Sequence, residues 1–577
     1  MVQSLMDKQF LFERNLLSLS LVDAELCSRL SAAETTLGRY RFVESRSGTP
    51  LPAWVDSSGC AHTLHSLASP EKEAGRLIGT LNGEGYVIFL GLGSGFYVEA
   101  ALRQASVAQA LVIDFDINAA AELLCHHDYI QIFNDERFSI LIDPSPEEIR
   151  AKILSSYLPA LHGGLKTFPL RPRTDFDTSR FAPAAAVIKK TLESIAEDYS
   201  VQSCFGKRWF SNIIHNVIAS EKQNSILPPV RIAAVCAAGP SLDSQMHIIK
   251  AKRKTFFLIA TDTSLPALLG AALMPDAVIS IDCQHISYYH FIGTAVKNTP
   301  LFLDLASPPL VAGRSEKVFF FSGGHPLTNY ISANYRTFPV LDTSGANVTF
   351  AGVTLAEKLG AQQIHIFGAD FSYPNGAAYS RGAYFYPFFF RRQNRLQPTE
   401  SMLCHFLFKS PSLIRIKSNT RIQTHTHIQT HTPNDDRWYY ETKPLMLYRR
   451  RLEEKSRTLN AVLLPAEGAG APIAVRKGRI TPPKTAVFQI FASGRPYGTA
   501  KDFLAGYAHQ IRTLPPLTEN ITRYIENLSA ADKHIFATLL PTAAAFRYRD
   551  NAVTLDALLE DVKSFCALKL KRLLKMY

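Results

Sequence analysis

Two short turns in the middle of this sequence have the residue types that hold an anion. The first, Ala237-Ala238-Gly239-Pro240-Ser241-Leu242-Asp243, follows the apolar run at 232–235 and leads into an amphipathic helical stretch. Gly239 lets the backbone come close to a ligand, Pro240 stiffens the turn, and Ser241 is the expected N-cap. A helix start at the carboxyl edge of a sheet offers free N–H donors and the positive end of the helix dipole, a setting for phosphate. Taken alone, such a turn is as often an ordinary capped helix as a binding loop.

The second turn, Thr343-Ser344-Gly345, precedes a helix with apolar positions Val348, Ala351, Gly352, Leu355, Ala356 and Leu359. That is spacing i, i+3, i+4, i+7, i+8 and i+11, one face of a helix. Gly360 is placed to end it, and Gly352 allows close packing on a sheet. The next strand, at 364–367, runs into Gly368-Ala369-Asp370-Phe371. Turns of this kind at the ends of parallel strands converge on one crevice.

Three other features have rival readings. Gly91-Leu92-Gly93-Ser94-Gly95 lies between apolar runs at 86–90 and 111–113, the latter followed by Asp114 and Asp116. This resembles the S-adenosylmethionine site of class I methyltransferases, but nothing downstream supplies a methyl-acceptor site. A degenerate Rossmann-like domain with a structural or acceptor-binding role is the preferred reading. His425, His427 and His431 sit in a duplicated Ile-Gln-Thr-His-Thr segment. Their spacing matches no standard ligand set, so a polar hairpin or loop is favoured over a metal site. The run Tyr384-Phe385-Tyr386-Pro387-Phe388-Phe389-Phe390, followed by Arg391-Arg392, suits a lid, an acceptor-docking surface or packing against a neighbouring domain.

The elements that position these residues follow from pattern. Short apolar runs at 232–235, 256–260, 277–281, 301–305, 318–321 and 364–367 alternate with helix-length segments, the mark of βαβ units and a mostly parallel sheet. The expected class is α/β. It comprises a Rossmann-like N-terminal domain at 1–205, a central Rossmann-like domain at 206–445, and a linker with a helical C-terminal domain at 446–577. A chain of 577 residues exceeds one core. Its 46% hydrophobic and 19% charged residues are those of a globular protein, and a formal charge of +12 favours acidic partners. Eight scattered cysteines form no CxxC pair, as buried free thiols in a reducing compartment would. Glu13 and Arg14 interrupt the apolar N-terminal stretch, so neither a signal peptide nor a membrane span is expected, and the setting reads as cytoplasmic.

Taken together, Thr343-Ser344-Gly345, Leu359-Gly360-Ala361, Gly368-Ala369-Asp370-Phe371 and the earlier Gly239-Pro240-Ser241-Leu242 resemble the family-42 bacterial sialyltransferases. Tyr373 and Tyr379, six apart and flanking Asn375-Gly376, continue the match. The motility-associated factor family of flagellin glycosyltransferases shares this core. Its pattern includes a strand ending like Asp262 and a Pro275-Asp276 strand ending like Asp282. The resemblance covers residues 206–445 well and the flanks loosely. There are two departures. The Asn of a Gly-Asn-Gly-Pro-Ser run is absent, which implies one fewer donor contact. Tyr379 stands where motility-associated members often carry His, implying a sialyltransferase-like grip or a different sugar.

The resemblance implies transfer of a nonulosonic (sialic-acid-like, pseudaminic or legionaminic) sugar from a CMP donor to Ser or Thr of flagellin. Tyr373 and Tyr379 would hold the leaving phosphate. Gly239, Pro240, Ser241, Asp262, Asp282, Ser344 and Gly345 would line the donor site. A mobile-loop histidine implies His405, 26 residues after Tyr379, as general base, with Asp370 as a second catalytic group and His325 and His285 as rivals. No cofactor is required by the pattern, and a magnesium or manganese dependence stays open. Other readings are a pterin diphosphokinase, which shares the Gly-Pro-Ser-Leu and Asp motifs and needs ATP and magnesium, and a non-catalytic flagellar assembly factor. The two tyrosines and the extra helical region favour transfer to a protein.

Overall fold

The computed structural model describes residues 2–577 apart from 47, 223–228, 295, 418–437, 476–492, 519 and 550–553. The side chains of residues 2–6 and 222 also lie outside that description, as do His425, His427 and His431. The chain divides into two compact units. One comprises Met1–Gly206 with Arg512–Phe565, the other Lys207–Ile511 with Cys566–Tyr577.

In the first unit β1 (Tyr40–Glu44), β2 (Pro50–Val55) and β3 (Ala61–Thr63) form an antiparallel sheet. A second sheet is parallel, with β4 (Tyr86–Leu90), β5 (Gln109–Asp114), β6 (Phe138–Ile142) and β7 (Leu165–Pro169) in the order β6-β5-β4-β7. Every residue of β4 and β5 is buried. That is why their centres read as continuous apolar runs rather than alternating ones.

The second unit is built on seven parallel strands. They are β8 (Ile232–Cys236), β9 (Phe257–Thr261), β10 (Ala277–Ser280), β11 (Leu301–Asp304), β12 (Val318–Phe321), β13 (Gln363–Phe367) and, after the short β14 (Tyr373–Pro374), β15 (Ile414–Lys417) and β16 (Trp438–Glu441), β17 (Val462–Pro465). The order is β12-β11-β10-β9-β8-β13-β17, so the direction of winding reverses between β8 and β13. That switch point is where open α/β sheets open a crevice at the carboxyl ends of their strands. β14, β16 and β15 form a separate antiparallel sheet.

All six expected central strands are present within a residue at either end, and the whole is α/β. The helix Val348–Lys358 lies on the sheet as its periodicity implies, and a Cβ at Gly352 would stand 2.7 Å from Val235. Gly360 follows the C-cap with φ +94°, the left-handed conformation that ends helices.

The compact units differ from the three expected spans. β17 pairs in parallel with β13, so the central sheet draws in residues beyond 445, and residues 512–565 belong to the N-terminal unit. β17 is an edge strand whose apolar run is immediately followed by a Gly-, Pro- and Ala-rich stretch, which reads as a linker.

Candidate functional site

The crevice at the switch point is closed by the protein itself. Asp370, 5% exposed, accepts the Ser241 N–H at Oδ2 (2.8 Å) and the Ser241 hydroxyl at Oδ1 (2.5 Å). The helix Ser241–Ala251 therefore receives its negative end-group from Asp370, and Ser241 is its first residue rather than its cap. A Cβ at Gly239 would lie 2.4 Å from both Asp370 Oδ2 and the Gly368 carbonyl, so the two loops can approach only with glycine there.

The segment at 467–471 seals this junction. Ala469 N–H donates to Ser241 Oγ (2.8 Å), Ala471 N–H to the Asp370 carbonyl (3.0 Å), and Gln245 Nε2 to the Glu467 carbonyl (2.7 Å). What composition presents as the start of a linker is a strap bonded across two strand ends. Asp370, expected to be catalytic, is a clamp whose oxygens are occupied. Burial pushes its pKa up while the Ser241 bonds pull it down.

The second turn is held differently. Ser344 N–H and Oγ both donate to Asp342 Oδ1 (3.0 and 2.6 Å), and Asn347 caps the following helix by accepting the Phe350 N–H. Gly345 leaves no room for a Cβ, which would stand 2.1 Å from the Phe350 ring. The helix Lys443–Ser456 braces this turn from outside the expected central span. Arg451 donates to the Ser344 carbonyl (3.0 Å) and Lys455 pairs with Asp342 (3.1 Å).

Tyr373, on β14, Tyr448 and Asp262 act electrostatically on Tyr379, and Tyr448 acts on Tyr373. Burial, then Tyr373, Asp262 and Tyr448 in that order, push the Tyr379 hydroxyl well above its ordinary range. Burial and Tyr448 raise Tyr373 likewise. Both phenols therefore remain protonated donors at neutral pH. The Tyr379 ring stacks on Phe385 at 4.4 Å, so the aromatic run packs against the site and is not a separate surface feature.

Asp262, buried at the end of β9, accepts from Thr263 N–H and Oγ1 at Oδ1 and from Ser280 Oγ at Oδ2 (2.6 Å). Both of its oxygens have protein donors. Asp282 is half-buried with a raised pKa, caused first by burial and then opposed by the Gln284 N–H. Among the described residues no group of three His, Cys, Asp or Glu side chains can hold a metal ion.

The structure does not bring His405 into this group. It is exposed on the helix Thr399–Phe408, whose Phe406 ring lies 6.3 Å from Tyr379. His325 is half-buried as the cap of the helix Pro326–Asn334, its Nδ1 accepting the Leu327 N–H.

Sequence reasoning missed four contributors. Tyr448 and Arg451 lay outside the expected span, although Leu445, Tyr448 and Leu452 already mark an apolar helix face. Asn212 Nδ2 bridges the Cys283 and Ala306 carbonyls, and Asn216 Nδ2 bridges those of Leu305 and Ser307. These two amides fix the loops after β10 and β11, and no local pattern announces them.

Residues 207–376 match the family model described as 6-hydroxymethylpterin diphosphokinase MptE-like. An uncharacterised protein of Treponema pallidum (strain Nichols) is 31% identical over 164 residues, 28% of this chain and 78% of that protein. The chain belongs to one family with it. A second Treponema pallidum protein is 37% identical over 95 residues, 16% of this chain and 34% of its own length. Among solved structures, one described as a MAf glycosyltransferase from Magnetospirillum magneticum AMB-1 superposes with a TM-score of 0.55 at 14% identity, over 98% of this chain and 95% of that one. This chain has the Maf glycosyltransferase fold.

Within that Maf fold, the N-terminal glycine-rich turn is filled by the protein's own side chains. Gly91 through Gly95 are buried, the Leu92 N–H goes to Asp114 Oδ2 (2.7 Å), the Ser94 N–H goes to His65 Nε2 (3.1 Å), and Tyr129 donates its hydroxyl to the Gly93 carbonyl. Donors that would meet a cofactor are already used, which removes the ground for a methyltransferase reading.

The histidines around this turn are held neutral. Burial lowers His65 to about 3 and His127 to about 4, and each is lowered further by the histidine next to it, His127 and His126 respectively. A depressed histidine stabilises the fold above the unfolded-state pKa of about 6.5 and loses that contribution as pH falls below it. Taking the protein from about pH 7.5 to about pH 5 should therefore cost roughly 2 kcal/mol for each of these two histidines. A thermal midpoint that stays flat over that range would contradict their burial.

Proposed function

We propose that this chain is a glycosyltransferase that moves a nonulosonic sugar, of the pseudaminic or legionaminic kind, from a CMP donor to a Ser or Thr hydroxyl of flagellin in the cytoplasm. The observation that carries this reading is the electrostatic coupling of Tyr373 and Tyr379, both protonated donors, in a chain with the Maf fold. Cleaving the bond between the anomeric carbon and CMP builds positive charge on the sugar and negative charge on the departing phosphate. Phenol donors fixed by their packing stabilise that phosphate, and they need little reorganisation as the charge develops. Because Asp370 already neutralises the Gly239–Ser241 helix start and Asp342 takes the Ser344 donors, the phosphate belongs at the tyrosines. Gly239, Pro240 and Ser241 then act as the wall that positions them.

Each Tyr→Phe change removes one charge-assisted hydrogen bond, typically about 1.5–3 kcal/mol. Single variants should lose roughly ten- to a hundredfold in transfer with folding intact, and the double variant should depart from additivity. Two single variants with wild-type turnover and wild-type CMP affinity would remove the phosphate grip. A pterin diphosphokinase is the second reading, favoured by the family model over 207–376. The two separate in a thermal-shift comparison. CMP at about 100 times its dissociation constant should stabilise by roughly 2.7 kcal/mol, whereas stabilisation by ATP with magnesium and not by CMP favours the diphosphokinase. The flagellin acceptor is tested by the intact mass of flagellin from a deletion strain, where an unchanged mass excludes it.

A further inference from the structure

Among the described residues, His290 packs into the aromatic cluster that reaches Tyr379, and the sequence did not single it out. It sits on the short helical segment His285–Phe291 that follows β10, directly beyond Asp282. Its side chain is 7% exposed, and its Nδ1 is buried without a hydrogen-bond partner. An unpaired polar atom in a native interior costs about 1–3 kcal/mol. When such an atom persists beside a cleft, it points to a ligand or a reacting group.

The surroundings agree. The ring meets Tyr384 edge-on at 5.0 Å and Phe385 at 6.4 Å, and Phe385 in turn stacks on Tyr379 at 4.4 Å. The aromatic run thus links His290 to the tyrosine pair in one cluster. Asp262 acts electrostatically on both sides of that cluster, on His290 and on Tyr379. Burial lowers the His290 pKa, which keeps the ring neutral and able to accept a proton. Asp262 and Asp282 oppose that shift, so their charges favour the cation once it forms. A neutral base beside carboxylates that stabilise its protonated form is what proton removal requires.

We propose that His290 is the general base that deprotonates the acceptor hydroxyl. This rests on the glycosyl-transfer reading above. In the step, the hydroxyl proton passes to Nδ1 directly or through one water, and the acceptor oxygen forms a bond to the anomeric carbon. The bond from that carbon to the CMP phosphate breaks, and its electron pair stays on the phosphate held by the tyrosines. His405, exposed on its own helix, is left without that role.

The experiment measures CMP release from CMP-N-acetylneuraminic acid by the full chain, with a Ser/Thr-containing flagellin peptide as acceptor. His290→Ala should lose about a hundred- to ten-thousandfold in turnover, retain CMP affinity within about twofold, and regain activity with added imidazole. A residue that only packs the cleft would show no such rescue. Should His290→Ala fail to fold, His290→Gln preserves the volume and must show the same loss with a near-native melting temperature. Full activity in His290→Gln, or loss in His405→Ala with His290→Gln active, overturns the proposal. If the wild-type chain neither binds CMP nor turns over the donor, the transfer reading itself fails, and this assignment falls with it. That outcome differs visibly from an active wild type with an active His290 variant.

Discussion

An Asp370→Ala protein should fold poorly, and Asp370→Asn should be far milder. In the native state one carboxylate ends the helix Ser241–Ala251 by accepting both the Ser241 N–H and its hydroxyl, and it also accepts an N–H from Gly470. Alanine leaves those donors buried with no acceptor, at about 1–3 kcal/mol each. It also opens a void against Gly239, Gly468 and Gly470, whose missing side chains are what let the three segments meet. A total of roughly 3–5 kcal/mol is expected, a fall in melting temperature on the order of 10 °C for a unit of this size. Asparagine retains one carbonyl acceptor and the volume. If Asp370 were instead a catalytic group, the Asn variant would keep its melting temperature and lose turnover. Equal melting temperatures for wild type and Asp370→Ala would dismiss the clamp.

The second large effect is expected in the N-terminal unit, at Arg173. Its side chain is fully buried, with the guanidinium 3.8 Å over the Trp54 ring, 3.0 Å from Asp177 and 3.5 Å from Asp114. It also donates to the Phe115 carbonyl at 2.6 Å. Asp114 is 2% exposed, and burial raises its pKa while Arg173 is the main influence lowering it. Arg173→Met keeps much of the volume but strands a buried carboxylate. Breaking a buried pair in this way typically costs about 3–5 kcal/mol. Neutralising the survivor should return part of that loss. Asp114→Asn combined with Arg173→Met should therefore be more stable than Arg173→Met alone, a negative coupling that a double-mutant cycle reads directly. An Arg173→Met protein within 1 kcal/mol of wild type, a limit set at about the size of one ordinary hydrogen bond, would mean the ion pair contributes little.

Asp370 and Asp114 each accept an N–H from a glycine-bearing turn elsewhere in the chain, and that likeness bears on how much of the function was legible. The apolar strands, their parallel arrangement and the two helix starts were all readable, because local composition controls them. A strand buried on both faces must be apolar throughout, and a helix on a sheet must carry its stripe at 3.6-residue spacing. Gly239 and Gly352 were also readable as places of close approach, to a ligand and to the sheet respectively. Tyr373 and Tyr379 were found through a family pattern and not through chemistry visible in their neighbours.

What occupies a glycine-rich turn is not a local property. The N–H donors at 91–95 and at Gly239 suit a phosphate equally well on paper. His65 and Tyr129 fill the first turn, and Asp370 with the strap at 467–471 fills the second, from residues 29 to more than 200 positions away. The same holds for Arg451 bracing Ser344 and for Asn212 and Asn216 holding the loops after β10 and β11. The sequence by itself determined the α/β class, the strands and helix starts, and the glycines that permit close approach, because each is a matter of burial and backbone freedom within a few residues. Only the tertiary structure decided what fills each turn, which carboxylates are already bonded and which histidine packs beside the aromatic run, because a hydrogen bond or a buried charge is settled by whatever side chain the folded chain brings opposite it.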